Sequence, residues 1–162
     1  MSLGKLSLMG TDDKVVIPEN LRLPFNRASL SEIRVALNRL QARLGFSDGC
    51  GLALRLVLEE LVTNSIMHGW GKGAHDDPET GIHVDFHIDD GVLHFRYVDH
   101  GSPFDPRSDL PSDSRDEHLD DRPDGQLGWP LILHYCDLLH YAREEGQNRM
   151  HLRLREKVLN RD

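Results

Sequence analysis

Gly51-Leu52-Ala53-Leu54-Arg55-Leu56-Val57-Leu58-Glu59-Glu60-Leu61-Val62-Thr63-Asn64-Ser65-Ile66-Met67-His68 is the stretch on which the fold turns. It is long, rich in leucine and free of proline, so it reads as a helix, with Ser47 or Asp48 available to cap it. At about 100° per residue, Glu60, Asn64 and His68 fall on one narrow stripe. Ala53, Leu56, Val57 and Met67 project within the same arc, and Leu54, Leu58, Leu61, Val62 and Ile66 form the opposite one. Only Arg55, Glu59 and Thr63 are left for a solvent edge, where Glu59 can pair with Arg55. An acid, an amide and an imidazole therefore line up within a largely apolar helix. Glutamate is rarely buried without a partner, so the stripe is an internal hydrogen-bonded network, part of a wider solvent face, or the wall of a ligand pocket.

Downstream of this helix, Gly69-Trp70-Gly71-Lys72-Gly73 stops it and a polar loop runs to Thr80. Ile82 to Ile88 alternates strictly between apolar and polar, and Val92 to Val98 returns after Asp90-Gly91, a hairpin turn signal. Pro106 to Asp124 is acidic and aperiodic, a loop of the length often used as a lid. Gly125 to Gly128 then open a short helix, with Pro130 near its start, that runs to about Tyr135. Leu138–Ala142 and Met150–Leu154 read as strands joined by a Glu144–Asn148 turn.

Upstream, Val15-Val16-Ile17 and Leu21-Arg22-Leu23 read as two strand pieces interrupted by Pro18. Ser29-Leu30-Ser31-Glu32 resembles a capping box for a helix carrying Leu30, Ile33, Leu37, Leu40 and Leu44, which Gly45 ends. The order predicts an α+β fold: a two-layer α/β sandwich, its mixed, mostly antiparallel sheet carrying helices on one face.

Composition narrows the function classes. The 162 residues suit one domain spanning 1–162, with residues 1–12 as a loose leader. A hydrophobic content of 38% argues for a packed core, and a net charge of -8 argues against direct nucleic-acid binding. Cys50 and Cys136 read as small core residues of a cytoplasmic protein. No apolar run is long enough to cross a membrane, and Met1 to Gly10 lacks the features of a signal peptide.

Two glycine-bearing turns carry further chemistry. In Asp99-His100-Gly101-Ser102-Pro103-Phe104-Asp105-Pro106, Asp99 ends a strand, where a carboxylate can accept from the exocyclic amine of a purine. Gly101 lets backbone approach a ligand closely. Gly125-Gln126-Leu127-Gly128 sits at a helix N-terminus, whose amides favour phosphate. Each turn alone is compatible with ordinary loop geometry, and neither is a Walker loop.

The ordered combination is more specific. Leu58-Glu59-Glu60-Leu61-Val62-Thr63-Asn64 with His68-Gly69-Trp70, then Asp99-x-Gly101-x-Pro103-Phe104-Asp105-Pro106, then Leu127-Gly128 resemble the Bergerat ATP-binding fold of the histidine kinase-like ATPase superfamily. Within it, residues 20–156 most resemble the anti-sigma-factor serine/threonine kinases of partner switching. That resemblance implies ATP and Mg²⁺ as cofactors, with Asn64 ligating Mg²⁺ and Glu60 as the catalytic group that orients or deprotonates the attacking hydroxyl. It implies that Asp99 reads adenine beside Gly101 and Phe104, that His68 supports the site, and that Gly125, Leu127 and Gly128 face the phosphates. Residues 106–124 become the ATP lid. The implied partners are an anti-sigma-factor antagonist of the STAS type, phosphorylated on serine or threonine, a sigma factor held in its place, and a second copy in a homodimer.

Four features depart from the family pattern: Gln126 in place of a glycine, Trp129-Pro130 at the helix start, no threonine after Thr80, and a lid rich in aspartate with Arg107, Arg115 and Arg122 to offset it. They keep open an alternative: a catalytically weak or inactive module that regulates a partner by stoichiometric binding. A zinc site on His83, Asp85, His87 and His94 is also conceivable, but their alternation with apolar residues is explained by a solvent-facing sheet side. No Gly-x-Ser-x-Gly elbow supports a hydrolase.

Overall fold

The computed structural model describes residues 14–68, 77–109 and 128–158. Its elements run β1 (Lys14–Leu23), α1 (Ala28–Leu44), α2 (Asp48–His68), β2 (Ile82–Asp89), β3 (Val92–Asp99), α3 (Gly128–Tyr135), β4 (Cys136–Glu144) and β5 (Gln147–Lys157). The strands form one sheet in the order β1-β2-β3-β5-β4. Every pairing among the described residues is antiparallel, so the mixed component expected from the sequence is not present there.

Alternation decides which way each strand faces. Ile82, Val84, Phe86 and Ile88 of β2, Leu93, Phe95 and Tyr97 of β3, and Met150, Leu152 and Leu154 of β5 all point into one core. Ile33, Leu37 and Leu40 of α1, Val57, Leu58, Leu61 and Val62 of α2, and Ile132 of α3 meet them there. The three helices therefore share one face of the sheet. Cys50 and Cys136 are buried free thiols, as expected.

Several local expectations are corrected. β1 is a single edge strand whose register shifts between Val16 and Asn20, because Pro18 has no N–H to give the ladder. α1 begins at Ala28 without a side-chain cap at Arg27. Ser29 is inside the helix and fully buried, its hydroxyl donating to the Pro24 carbonyl, while Asn26 accepts the Ala28 N–H at 2.8 Å. Gly45, at φ 70°, ends α1 as predicted. Ser47 caps α2, accepting the Cys50 N–H at 3.1 Å.

The last hairpin is longer than its sequence suggests. Glu145 and Gly146 both take positive φ, at 49° and 78°, as do Asp90 and Gly91 at 47° and 74°. A two-residue turn of this kind matches the twist of the strands, so pairing resumes at Glu144 opposite Gln147. Asn148 thereby becomes a strand residue in register with Asp99.

Candidate nucleotide site

Asp99 ends β3 with its side chain only 3% exposed. Its Oδ1 accepts from the Gly101 N–H and from Asn148 Nδ2, each at 2.9 Å, and its Oδ2 accepts from Ser65 Oγ at 2.9 Å. Burial of a carboxylate requires such partners. Ser65 Oγ also lies 2.7 Å from the Tyr97 hydroxyl. A carboxylate only accepts, and a serine hydroxyl has a single hydrogen, so Ser65 donates to Asp99 and Tyr97 donates to Ser65. Burial, followed by the neighbouring Asp99 charge, pushes the Tyr97 phenol well above its ordinary pKa. Tyr97 thus remains a neutral donor at the base of the chain of hydrogen bonds.

Asn148 ties the loop after β3 to the last hairpin. Its Nδ2 donates to Asp99 Oδ1 and to the Ser102 carbonyl (2.8 Å), and its Oδ1 accepts from the Phe104 N–H (3.2 Å) and the Tyr141 hydroxyl (3.0 Å). All four of the amide's ordinary bonding positions are filled. Arg143 adds a bond to the Gly101 carbonyl at 2.7 Å. Just beyond, Arg107 pairs with Asp105 at 2.7 Å and sits over the Tyr141 ring. That contact holds the Asp105 carboxyl below its ordinary range and balances one charge at the start of the acidic segment.

Glu60 and Asn64 are half-buried on α2, under the first residue of α3. A Cβ built at Gly128 would lie 3.0 Å from Asn64 Nδ2 and 3.0 Å from Glu60 Oε2. Glycine is what lets the start of α3 approach the acid and the amide this closely. Trp129, the next residue, stacks on Phe104 with 6.3 Å between ring centroids. Its indole Nε1–H is buried and has no hydrogen-bond partner among the described residues.

Asn64, Ser65, Asp99, Phe104, Trp129 and Asn148 all line one cavity. Its volume is about 20 Å³, room for roughly one water molecule.

Of the residues singled out from sequence, the structure brings Glu60, Asn64, Asp99, Gly101, Phe104 and Gly128 into this neighbourhood. His68 ends α2, but its side chain is not described; Gly125 and Leu127 lie outside the described residues, as does the 110–124 part of the segment read as a lid. Pro106–Asp109 forms a short 3-10 turn. Met67, placed by helical angle among the inward residues, is 65% exposed, whereas Ser65 is buried. Glu59 pairs with Arg34 of α1 at 2.6 Å rather than with Arg55, because α1 packs against that side of α2. Sequence reading missed Ser65, Tyr97, Asn148 and Tyr141. The inward parity of Tyr97, two residues before Asp99 on the same strand, was the available signal.

The signature of the histidine kinase-like ATPase domain matches residues 23–155, most of the chain. The chain belongs to that family. Over 85 residues this histidine kinase-like ATPase domain is 34% identical to the serine-protein kinase RsbW of Listeria innocua, covering 52% of each protein. Over 130 residues it is 29% identical to the serine-protein kinase RsbW of Staphylococcus epidermidis, covering 78% of this chain and 79% of that one. The chain thus spans about half the length of the Listeria relative and about four fifths of the Staphylococcus one. The fold matches the crystal structure of the RsbU and RsbW domains of Rv1364c from Mycobacterium tuberculosis with a TM-score of 0.56. That match covers 86% of this chain and 32% of the other, at 16% identity, and is a likeness of fold. No described helix of this histidine kinase-like ATPase domain is long and apolar enough to cross a membrane.

Proposed function

We propose that the protein is an ATP-dependent serine/threonine kinase and anti-sigma factor. It binds Mg·ATP between α2, the end of β3 and the start of α3, and phosphorylates a STAS-type anti-sigma-factor antagonist. Without an unphosphorylated antagonist it holds a sigma factor. Its similarity to the RsbW serine-protein kinases supports this reading. A homodimer and a cytoplasmic location accompany it.

Asp99 is the observation that carries the proposal. A carboxylate offers about four acceptor positions. Three are taken by Ser65, Gly101 and Asn148. The remaining position, on Oδ2, suits the exocyclic amine of adenine, and Ser65 and Tyr97 fix the oxygen from behind. Trp129, which lines the same cavity, carries a buried indole N–H that has no hydrogen-bond partner among the described residues.

Asn64 would offer its amide oxygen to Mg²⁺, a hard ion suited to such a ligand. Bound Mg·ATP supplies the transferable phosphoryl group and neutralises charge as that group leaves. Glu60 orients or deprotonates the incoming hydroxyl, and Gly128 keeps the first turn of α3 close to both side chains. Phe104 and Trp129 exclude water once the nucleotide is seated. His68, Gly125 and Leu127 complete the site by resemblance.

A second reading, stoichiometric regulation with little catalysis, draws on Gln126 between the glycines, on Trp129-Pro130 at the helix start, on the lack of a threonine after Thr80 and on the aspartate-rich segment before them. Incubating the purified chain with γ-labelled ATP and a candidate antagonist separates the two. Label transferred to a serine or threonine, and lost in Asn64→Ala, supports the kinase. Saturable ATP binding without transfer to any antagonist it binds supports the second reading.

A further inference from the structure

We propose that His87, His94 and His151 form a three-imidazole site for Zn²⁺ on the outward face of the sheet. The three residues lie on β2, β3 and β5, three neighbouring strands. His87 and His94 are direct cross-strand partners. His151 faces Arg96 and so lies diagonally from His94. Of the residues weighed for zinc from sequence alone, only His87 and His94 belong to this group. His83 bonds instead to the Pro78 carbonyl, and Asp85 pairs with Arg22. The third ligand came from a strand more than fifty positions along the chain, which the hairpin pattern could not reveal.

The geometry suits a tetrahedral ion. One ligating nitrogen from each residue lies within 4.8 Å of the others. His94 Nδ1 and His151 Nε2 are 3.2 Å apart. Two nitrogens on a tetrahedral zinc, at about 2.0–2.1 Å from the metal, stand about 3.3–3.4 Å apart. That pair, joined by a hydrogen bond, already stands near the spacing of a tetrahedron edge; zinc would take the place of the shared proton, and side-chain rotation would bring in the third nitrogen from within 4.8 Å. Ring centroids are separated by 4.8, 5.3 and 5.9 Å.

The backbone beneath is rigid. Phe86, Phe95 and Leu152, the residues adjacent to the three histidines, are anchored in the core with exposures of 3%, 0% and 0%. Sites built on strands hold their geometry better than sites on loops. All three histidines are half-buried, which leaves the fourth coordination position open to water or an outside donor. Imidazole nitrogens favour zinc over Mg²⁺ or Ca²⁺, which prefer oxygen.

Local charge opposes a cation only in part. Arg153, in register with His94, and Arg155 share the single Asp137 carboxylate, at 2.8 and 3.1 Å, which offsets one of their two charges. Arg96 opposes a cation here, but its side chain is exposed and screened by solvent. The site is on the opposite face of the sheet from Asp99, so it is independent of the nucleotide proposal.

The test uses tag-free, nucleotide-free full chain, stripped with a chelator and desalted. Zn²⁺ alone is titrated against a chromophoric zinc chelator, with Mg²⁺ as control. The wild type should take up one zinc per chain and give no response at this site to Mg²⁺. His94→Ala and His151→Ala should each weaken binding by more than the roughly 10–100-fold that loss of an outer-shell partner costs. His83→Ala, on the same strand face, should bind as the wild type does. Zinc should raise the melting temperature of the wild type and not of His94→Ala. Circular dichroism in chelator checks that each variant folds, and His87→Gln replaces any that does not. Absence of stoichiometric zinc binding by the wild type, or unchanged affinity in the folded His94→Ala, overturns the proposal.

Discussion

Asp99→Asn keeps the shape of the side chain and changes only its charge and one acceptor. The consequence can be followed atom by atom. Gly101 N and Asn148 Nδ2, both at 2.9 Å from Oδ1, can only donate, so the amide oxygen must take the Oδ1 position. The new NH₂ then faces Ser65, whose oxygen can accept from it and from Tyr97, while the Ser65 hydrogen loses its Asp99 acceptor. Hydrogen bonds to a charged partner are worth about 1.5–3 kcal/mol, against about 0.5–1.5 for neutral ones, while removal of a buried charge offsets part of that difference. A net destabilisation of about 1–3 kcal/mol follows, and the protein should still fold. The nucleotide effect is sharper. Where Oδ2 would accept from the adenine amine, a donor now meets a donor. Loss of a bond worth about 1.5–3 kcal/mol weakens ATP binding about 10- to 150-fold, at about 1.4 kcal/mol per factor of ten. Inosine triphosphate carries an acceptor at the same ring position, so the preference for ATP over it should shrink or invert in Asp99→Asn. Calorimetric titration of both nucleotides into both proteins, after a thermal melt, measures this. A folded Asp99→Asn that binds Mg·ATP as tightly as the wild type, or with the same preference for ATP over inosine triphosphate, shows that Asp99 does not accept from the adenine amine.

Ser65→Ala removes the donor to Asp99 Oδ2 and the acceptor of Tyr97 together, and should cost about 2–3 kcal/mol in a urea denaturation experiment. Gly128→Ala gains about 0.5–1 kcal/mol of helix propensity but places a Cβ 3.0 Å from Asn64 and Glu60, an overpacking worth about 1–3 kcal/mol. Its melting temperature should fall slightly and phosphoryl transfer much more. Asp137 is held below its ordinary carboxyl range chiefly by the Arg153 hydrogen bond, with Arg155 assisting and burial opposing. A folded pKa below the unfolded one, about 3.9, gives a contribution that is complete at neutral pH and lost as pH falls below about 4. Asp137→Asn should therefore flatten the acid side of the stability profile, as followed by melting temperature between neutral pH and pH 3.

The parts of the fold that could be read from sequence are those in which one periodicity dominates. Ile82 to Ile88 alternates without interruption, and its hairpin with Val92 to Val98 follows at once. α2 was legible from its length and leucines, but its fine orientation was not: Met67 is exposed, and Ser65, which the sequence pattern leaves without a place, is buried, because neighbouring elements, rather than helical angle alone, decide the last turn. The start of α1 was misplaced because Ser29 turns its hydroxyl inward to Pro24 instead of capping.

In the site, Asp99 and Asn64 could be named because they sit in ordered motifs. Asn148 could not, since it fell within a segment read as a turn. Only the positive φ values of Glu145 and Gly146 bring it into the strand opposite Asp99. From the last strand its amide donates to Asp99 at 2.9 Å. The histidine cluster escaped for a related reason, because strand order across β3 and β5 is not written in local spacing.

Binding of one magnesium-bound adenine nucleotide between α2, the end of β3 and the start of α3 is decided by calorimetric titration of Mg·ATP into the purified chain. A saturable isotherm with one nucleotide per chain is expected; a folded wild type that shows no saturable binding rules the site out.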